Sequence, residues 1–162
     1  MVSTGVSFAE LYNSILAFCV SLAGELNIEA ASVFNYDMVS DYAELPTDRD
    51  TVGFTNLKVS GMENTNLISL TVGIGFSVVR DHNLKRLNTE YINHLAKKLI
   101  PDGRVPIKDQ DGYVIDYLLC SSDFEISPPI GANGITMQFI GLFMRSSMVL
   151  NSIAQSPNSG CG

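Results

Sequence analysis

The sequence predicts a single α+β domain in which a mainly antiparallel sheet is packed by two helices. The chain has 162 residues, which is the size of one domain with one core. One stretch carries apolar residues at every second position, as a strand does, and two stretches carry them three and four positions apart, as helices do. The elements follow in the order α-β-β-β-α-β-β. We expect residues 1–150 to form the domain and residues 151–162 to form a flexible tail.

The first helix is predicted over residues 8–26. Ser7 and Glu10 have the spacing of a capping box, in which each side chain satisfies a backbone donor of the other residue. The apolar residues that follow at helical spacing are Phe8, Leu11, Ile15, Phe18, Leu22 and Leu26. Because these residues share one helical face, we expect that face to pack on a sheet.

Two shorter strands are predicted at residues 31–36 and 51–60. Within the second, the apolar positions change parity between Phe54 and Leu57, which predicts a β-bulge or a bend. The intervening residues 37–50 are acidic and include a proline, which excludes a central strand. We expect a solvated loop there, with a repulsive or docking surface as the functional alternative. Its acidic residues are Asp37, Asp41, Glu44, Asp48 and Asp50.

Residues 67–79 give the clearest strand pattern in the chain. The even positions are all large and apolar: Ile68, Leu70, Val72, Ile74, Phe76 and Val78. The odd positions between them are all small: Ser69, Thr71, Gly73, Gly75 and Ser77. One face of this strand should therefore pack against a helix, and the other should be flat enough for another backbone to approach closely.

A second helix is predicted over residues 84–99, with Asp81 or Asn83 as its cap and Lys97 and Lys98 in its last turn. Residues 106–112 are expected to form an acidic turn region. Two closing strands follow at residues 113–126 and 135–145, joined by a stiff, turn-forming connection over residues 127–134.

Both closing strands carry apolar residues on both faces, so both faces should be covered. The two helices account for one face of the sheet, and the other face needs a partner. Composition points the same way. Charged residues make up 17% of the chain, below the roughly 25% of soluble proteins, which favours a protein that buries surface in an assembly.

The formal net charge of −7, with 10 basic and 17 acidic residues, leaves little material for a basic face. It therefore argues against sequence-specific binding of nucleic acids. The sequence contains no apolar run long enough to span a membrane, and its first residues lack the basic region typical of a signal peptide. We expect synthesis in the cytoplasm and no membrane contact.

The sequence contains no catalytic or metal-binding motif, so we expect a protein that is not an enzyme and needs no cofactor. Asp81, His82, Glu90 and His94 contain metal-ligating groups, but a helix would separate His82 from His94 by roughly 18 Å along its axis. We therefore expect His94 to be a surface residue.

The chain has three cysteines, and they are too far apart in the sequence to form a C-x-x-C redox motif or a typical zinc-binding motif. Cys19 and Cys120 are expected to be small buried hydrophobes, although either one would form a nucleophile pair with His94 if the fold brought them together. Cys161, in a polar terminal segment, is the candidate for an intermolecular disulfide, with an idle free thiol as the alternative.

The order of elements resembles the tail terminator proteins of long-tailed bacteriophages, which are small subunits with an N-terminal helix, an antiparallel sheet and a second helix before a final hairpin. The resemblance is carried by residues 8–26, 67–79 and 84–99 and by the closing pair 112–126 and 135–145. The run ITMQFIGLFMR, from Ile135 to Arg145, is similar to the final strand of such subunits. No single functional residue carries over.

The resemblance implies a structural virion protein of the tail or neck, made in the host cytoplasm. Such subunits form a ring, usually a hexamer, that caps the tail tube, ends its polymerisation and joins the tail to the head connector. The implied partners are further copies of the chain, the tube protein, the connector or neck protein and the sheath. DNA would pass through an acidic lumen without specific binding. Residues 37–50 and the tail to Gly162 would contact the next ring.

Other readings remain open at this point. Another neck or connector ring, or an adaptor of a contractile injection system, would look physically similar. A small dimeric ligand-binding domain or enzyme is the more remote alternative, and it would require polar residues that converge in a cavity.

Overall fold

The computed structural model describes residues 5–38, 45–61, 67–79 and 84–151. Within these ranges the chain is mixed α+β, with two main helices and eight strands in one curled sheet. Helix α1 spans Phe8–Glu25. The capping box is present as predicted: the Ser7 backbone N–H donates to Glu10 Oε1 at 2.9 Å, and the Glu10 N–H donates to Ser7 Oγ at 3.1 Å.

Helix α2 covers residues 84–99 and confirms the second predicted helix. It begins with the α-helical turn Leu84–Arg86, widens into a π-helical segment at Leu87–Ile92 and ends as the α-helix Asn93–Leu99. The predicted caps Asp81 and Asn83 lie outside the described residues. The π-helical segment was not predicted.

The strands are β1 (Val6–Ser7), β2 (Val33–Asn35), β3 (Thr51–Gly61), β4 (Leu67–Val79), β5 (Arg104–Lys108), β6 (Val114–Ile126), β7 (Ile130–Ala132) and β8 (Ile135–Asn151). Across the sheet they follow the order β2-β3-β4-β8-β6-β5, and both β1 and β7 pair with β8. The contacts between β2 and β3 and between β1 and β8 are parallel, and all the others are antiparallel.

Three strands, β1, β5 and β7, were not predicted. The turn region predicted at residues 106–112 was wrong in its first half, because β5 occupies Arg104–Lys108 and pairs with β6. The connection predicted at residues 127–134 contains β7, which meets β8 through a tight turn at Asn133 and Gly134, both with positive φ. The last strand continues to Asn151, six residues beyond its predicted end, and pairs there with β1.

The alternating strand is confirmed as β4. Its large even-numbered residues are at most 2% exposed and belong to the main core with α1 and α2. We call the helix-packed side of the sheet the inner face and the opposite side the outer face. The predicted bulge is also confirmed: the register of β3 shifts between Thr55 and Lys58. The Asp37 carboxylate holds this bulge by accepting hydrogen bonds from Thr55 Oγ1 and the Asn56 N–H.

One end of the outer face is covered by the chain itself. A second apolar cluster lies there, formed by Tyr36, Leu45, Ile135 and Met137, with Phe34 and Phe139 packed against it. Beneath it, hydroxyl groups form a chain from Tyr36 to Thr51 and on to Ser77. At this end the small residues of β4 make room for side chains of the same molecule, such as the Phe139 ring against Gly75. The close approach of another backbone stays a prediction.

Candidate assembly surface

The other end of the outer face carries exposed apolar side chains. On β6, Ile115, Tyr117 and Leu119 are 40%, 39% and 50% exposed. The residues between and after them, Leu118 and Cys120, point to the inner face and are at most 4% exposed. Strand β6 is thus apolar on both faces, as predicted, but only one of those faces is covered within the described chain.

A hollow of about 940 Å³ continues this apolar area across β8 to β3. Gly73 of β4 and Gly141 of β8 lie along it, and their missing side chains give it depth. The large apolar residues that line it and are more than a third exposed are Phe124, Ile126, Ile130 and Phe143. Ile130 and Phe143 form, together with Ile115, Tyr117 and Leu119, what we call the outer apolar surface. Phe124 and Ile126 pair with Leu142 and Ile140, so their side chains point to the inner face although they border the hollow.

Charged groups lie beside the outer apolar surface. The guanidinium carbon of Arg104 is 5.6 Å from the centroid of the Tyr117 ring, within the range of a cation–π contact. Arg145, which pairs with Leu119 across the strands, is exposed. Apolar residues ringed by charges are typical of surfaces that bind other proteins, because the charges keep the free subunit soluble while the apolar centre provides binding energy.

A polar cleft of about 470 Å³ lies beside α2 and the end of α1. Here Asp50 accepts a hydrogen bond from Arg86 Nη1 at 2.9 Å and a short one from the Tyr91 hydroxyl. The Asp50 side chain is 10% exposed. Burial, followed by the hydrogen bond to Asp50, raises the pKa of Tyr91 to about 12. The opposite charges of Asp50 and Arg86 therefore largely neutralise each other in this cleft.

The acidic residues predicted to form a solvated loop have different surroundings. Asp48 is exposed, with one oxygen 3.6 Å from Arg49. Asp37 secures the bulge in β3, and the Asp50 side chain is largely covered by α2, so the prediction of a solvated residue was wrong for Asp50. Asp50 accepts hydrogen bonds from two side chains that are far away in the chain, and this role left no signal in the local sequence. Asp41 and Glu44 lie outside the described residues.

His94 lies at the surface, as predicted, in a small ionic cluster. Its Nε2 is 2.7 Å from Glu25 Oε1, and Lys98 Nζ is 2.9 Å from Glu25 Oε2. The cluster ties the end of α1 to α2. Within the ranges that the structure describes, no group of three His, Cys, Asp or Glu residues could hold a metal ion. Asp81 and His82 fall outside those ranges.

Cys19 and Cys120 are buried free thiols. Burial raises the pKa of Cys19 to about 12 and that of Cys120 to about 11. Both are therefore poor nucleophiles, in keeping with a packing role. Cys161 lies outside the described residues, and its intermolecular disulfide stays a prediction.

No protein-family model matches the sequence, and no curated protein is similar enough to count as a relative. Among the described residues, neither helix combines the length and the apolar character needed to cross a bilayer. The geometry of the chain itself is therefore the basis for a functional proposal.

Proposed function

We propose that this protein is a structural subunit that assembles into a ring, and that the ring caps the tail tube of a long-tailed bacteriophage and joins it to the head connector. The observation that carries the proposal is the outer apolar surface. Five large apolar side chains, each more than a third exposed, lie on the part of the outer face that the second cluster leaves open among the described residues.

Such a surface has a free-energy cost in water that association removes. Burying apolar area contributes about 25 cal/mol per Å², so covering several half-exposed aromatic and aliphatic side chains contributes several kcal/mol before the entropic costs of association. The small proportion of charged residues, 17%, fits a subunit that works with much of its surface buried.

The tail-terminator role rests on the order of elements. An N-terminal helix precedes the sheet, and a second helix precedes the closing strands β6 and β8. The partners in this role are further copies of the chain, the tube protein, the connector or neck protein and the sheath. The net charge of −7 per subunit suits a lumen that DNA crosses without being held. Another neck ring, or an adaptor of a contractile injection system, would use the same surfaces.

One observation favours a second candidate, a small ligand-binding domain or enzyme. Asp50, Arg86 and Tyr91 converge in the polar cleft, which is the kind of convergence that the sequence alone did not show. These groups already satisfy one another, whereas nothing in the described part of the chain covers the residues of the outer apolar surface. We therefore place assembly first.

The first experiment measures the oligomeric state of the purified chain by native mass spectrometry and negative-stain imaging. The wild type is expected to form rings, and Leu119→Asp and Phe143→Asp are expected to abolish them while the subunit stays folded. Val20→Asp is the matched control, because Val20 is 43% exposed but lies on α1. A wild type that stays monomeric at high concentration would count against the ring.

A second experiment tests whether the ring caps the end of the tail tube. The chain is added to tail-tube protein from the same genome while that protein polymerises. A terminator would shorten the tubes and appear as a disc at one end of each. Normal tubes in the presence of well-formed rings would exclude the terminator role and leave the other ring assemblies.

A further inference from the structure

Two stretches of the sheet's edges are left unpaired by every strand that the structure describes. At one edge, β2 pairs only with the start of β3, at Val52, Gly53 and Phe54. Residues 57–61 of β3 have no strand beside them on that side within the described chain, and we call them the β3 edge. At the other edge, β5 covers β6 only as far as Leu119. Residues 121–126 are the β6 edge.

The two edges carry opposite charge. Lys58 is the charged residue of the β3 edge, whereas Asp123 and Glu125 are the charged residues of the β6 edge. All three are exposed, and all three border the hollow of the outer apolar surface. Each edge also contains a β-bulge, between Thr55 and Lys58 in β3 and between Cys120 and Phe124 in β6, and the Asp123 N–H already donates to Ser121 Oγ. The regularly paired residues beside these bulges still present an open edge, which is a template for pairing with another chain.

The strand directions allow these edges to meet between two copies. Strand β3 is antiparallel to β4, β4 to β8 and β8 to β6, so β3 and β6 run in opposite directions. When one copy is placed beside another by rotation about an axis near the strand direction, β3 of one copy faces β6 of the next in an antiparallel sense. Antiparallel neighbours need no crossover and form good hydrogen-bond geometry.

Like edges fit each other less well. A two-fold dimer joins identical patches, so it would place Lys58 against Lys58, or the acids of one β6 edge against those of the other. Like charges directly opposite one another across strands are destabilising. Strand β5 is also a poor partner for the β3 edge, because it contains Pro106, which has no N–H, and two bases, Arg104 and Lys108.

We infer that the chain associates head to tail, with the β3 edge of one copy lying against the β6 edge of the next and Lys58 facing Asp123 and Glu125. The inference rests on the proposed ring-forming function and names the surfaces that would build the ring. Contact between unlike patches generates a ring when the rotation closes, which an interface between like patches does not. The hollow beside both edges would then lie at the junction between subunits.

Charge reversal tests the contact. Lys58→Glu makes both edges acidic, and Asp123→Lys combined with Glu125→Lys makes both edges basic. Each variant alone is expected to associate about tenfold more weakly than the wild type, because like charges then face each other across the junction. An equimolar mixture of the two variants is expected to recover assembly, since each basic edge meets an acidic one. Lys85→Glu with Glu29→Lys, at exposed positions on α2 and before β2, is the matched control.

Engineered cysteines test which edges touch, even if association is transient. Ser60→Cys and Ser122→Cys place single thiols on the exposed β3 and β6 edges in a Cys161→Ser background. Under mild oxidation, a mixture of the two variants is expected to give a heterodimer band that neither variant gives alone. A homodimer band from either variant alone would show that like edges meet and would overturn the inference.

The two proposals fail in different ways. Rings that form regardless of the charge reversals, with no heterodimer band, would refute the edge contact and leave the ring intact. A wild type with neither assembly nor cross-linking would refute both. Loss of assembly in both reversal variants without recovery in their mixture would also overturn the edge contact, since the unlike edges would then not be the ones that pair.

Discussion

The ring of Phe139 on β8 lies against Gly75 on β4, with no room for a side chain between them. A Cβ atom added to Gly75 would lie 2.5 Å from Phe139 Cδ2 and 2.2 Å from the backbone carbonyl oxygen of Gln138. Phe139 in turn makes an edge-to-face contact with Tyr36, their ring centroids 5.5 Å apart. Gly75 thus provides the space in which the second cluster settles on the outer face.

Gly75→Ala is expected to lower the free energy of unfolding by about 1–3 kcal/mol, because the added methyl group meets backbone that cannot move aside. Urea unfolding followed by circular dichroism measures it. Gly24→Ala is the control: this glycine lies in α1 with nothing within 4 Å of the added atom, so alanine should stabilise the helix by about 0.5–1 kcal/mol. Equal effects of the two substitutions would contradict the packing described for Gly75.

The hydrogen bond between Tyr91 and Asp50 joins α2 to the segment before β3. Tyr91→Phe removes the donor and is expected to cost about 1–2 kcal/mol, since hydrogen bonds to a charged acceptor are stronger than neutral ones. A double-mutant cycle with Asp50→Asn should give a coupling above about 0.5 kcal/mol. Tyr113→Phe, at a residue that is 72% exposed, should leave the unfolding free energy unchanged. Additivity within error would show that the contact contributes no stability.

The cluster of Glu25, His94 and Lys98 predicts a pH-dependent contribution to stability. The hydrogen bonds from Lys98 and then from His94 lower the pKa of Glu25 below its ordinary value. The ionised form therefore stabilises the fold at neutral pH, and this contribution disappears as the pH falls through the lowered pKa. Because Glu25 is one-third exposed, screening keeps the effect small.

Glu25→Gln is expected to cost about 0.5 kcal/mol at pH 7 and nothing well below about pH 4. Urea unfolding at both pH values gives the two differences. Glu29→Gln removes the same charge from an exposed residue to which the described structure gives no ion pair, and it should show no such trend. A difference that grows on acidification would have the wrong sign for a lowered pKa.

The buried thiols predict slow chemical modification. With pKa values raised to about 12 and about 11, Cys19 and Cys120 present little thiolate near neutral pH. In a Cys161→Ser background, Ellman's reagent at pH 8 should therefore react slowly with the native protein, and both thiols should react quickly in urea. Rapid reaction of the native form would mean that the core around these residues opens easily.

Elements could be predicted from the sequence where the whole apolar or capping pattern lies within the element itself. Six apolar residues at even positions can be read only as a strand packed on one face, and Ser7 with Glu10 mark the start of α1. Strand β5 has only five residues, one of them Pro106, so its pattern is weak. It exists because Val105 and Ile107 fill the core while β6 supplies its hydrogen bonds, and both causes lie elsewhere in the chain.

The sequence predicted that a second apolar face exists, but not which part of that face stays exposed. Apolar residues of both parities in the closing strands indicated a second apolar face, which the structure confirms on β6. Which part of that face stays open depends on Tyr36 and Leu45, whose side chains cover its far end. The contact between Asp50 and Tyr91 joins residues 41 positions apart, and nothing local to either one indicates the other.

Strand β8 stands between β4 and β6 at the centre of the sheet, although it comes after both of them in the chain. During synthesis, the ribosome releases β4 and β6 before the strand that must join them has been made. Until β8 has been made, the edges of β4 and β6 that it will join stay unpaired. Such an unpaired apolar edge can pair with a strand of another chain or with a non-native strand of the same chain. The sheet edges of β4 and β6 are therefore protected from aggregation only after residues 135–151 have been synthesised. We expect a nascent chain arrested before Ile135 to need chaperones to remain in solution.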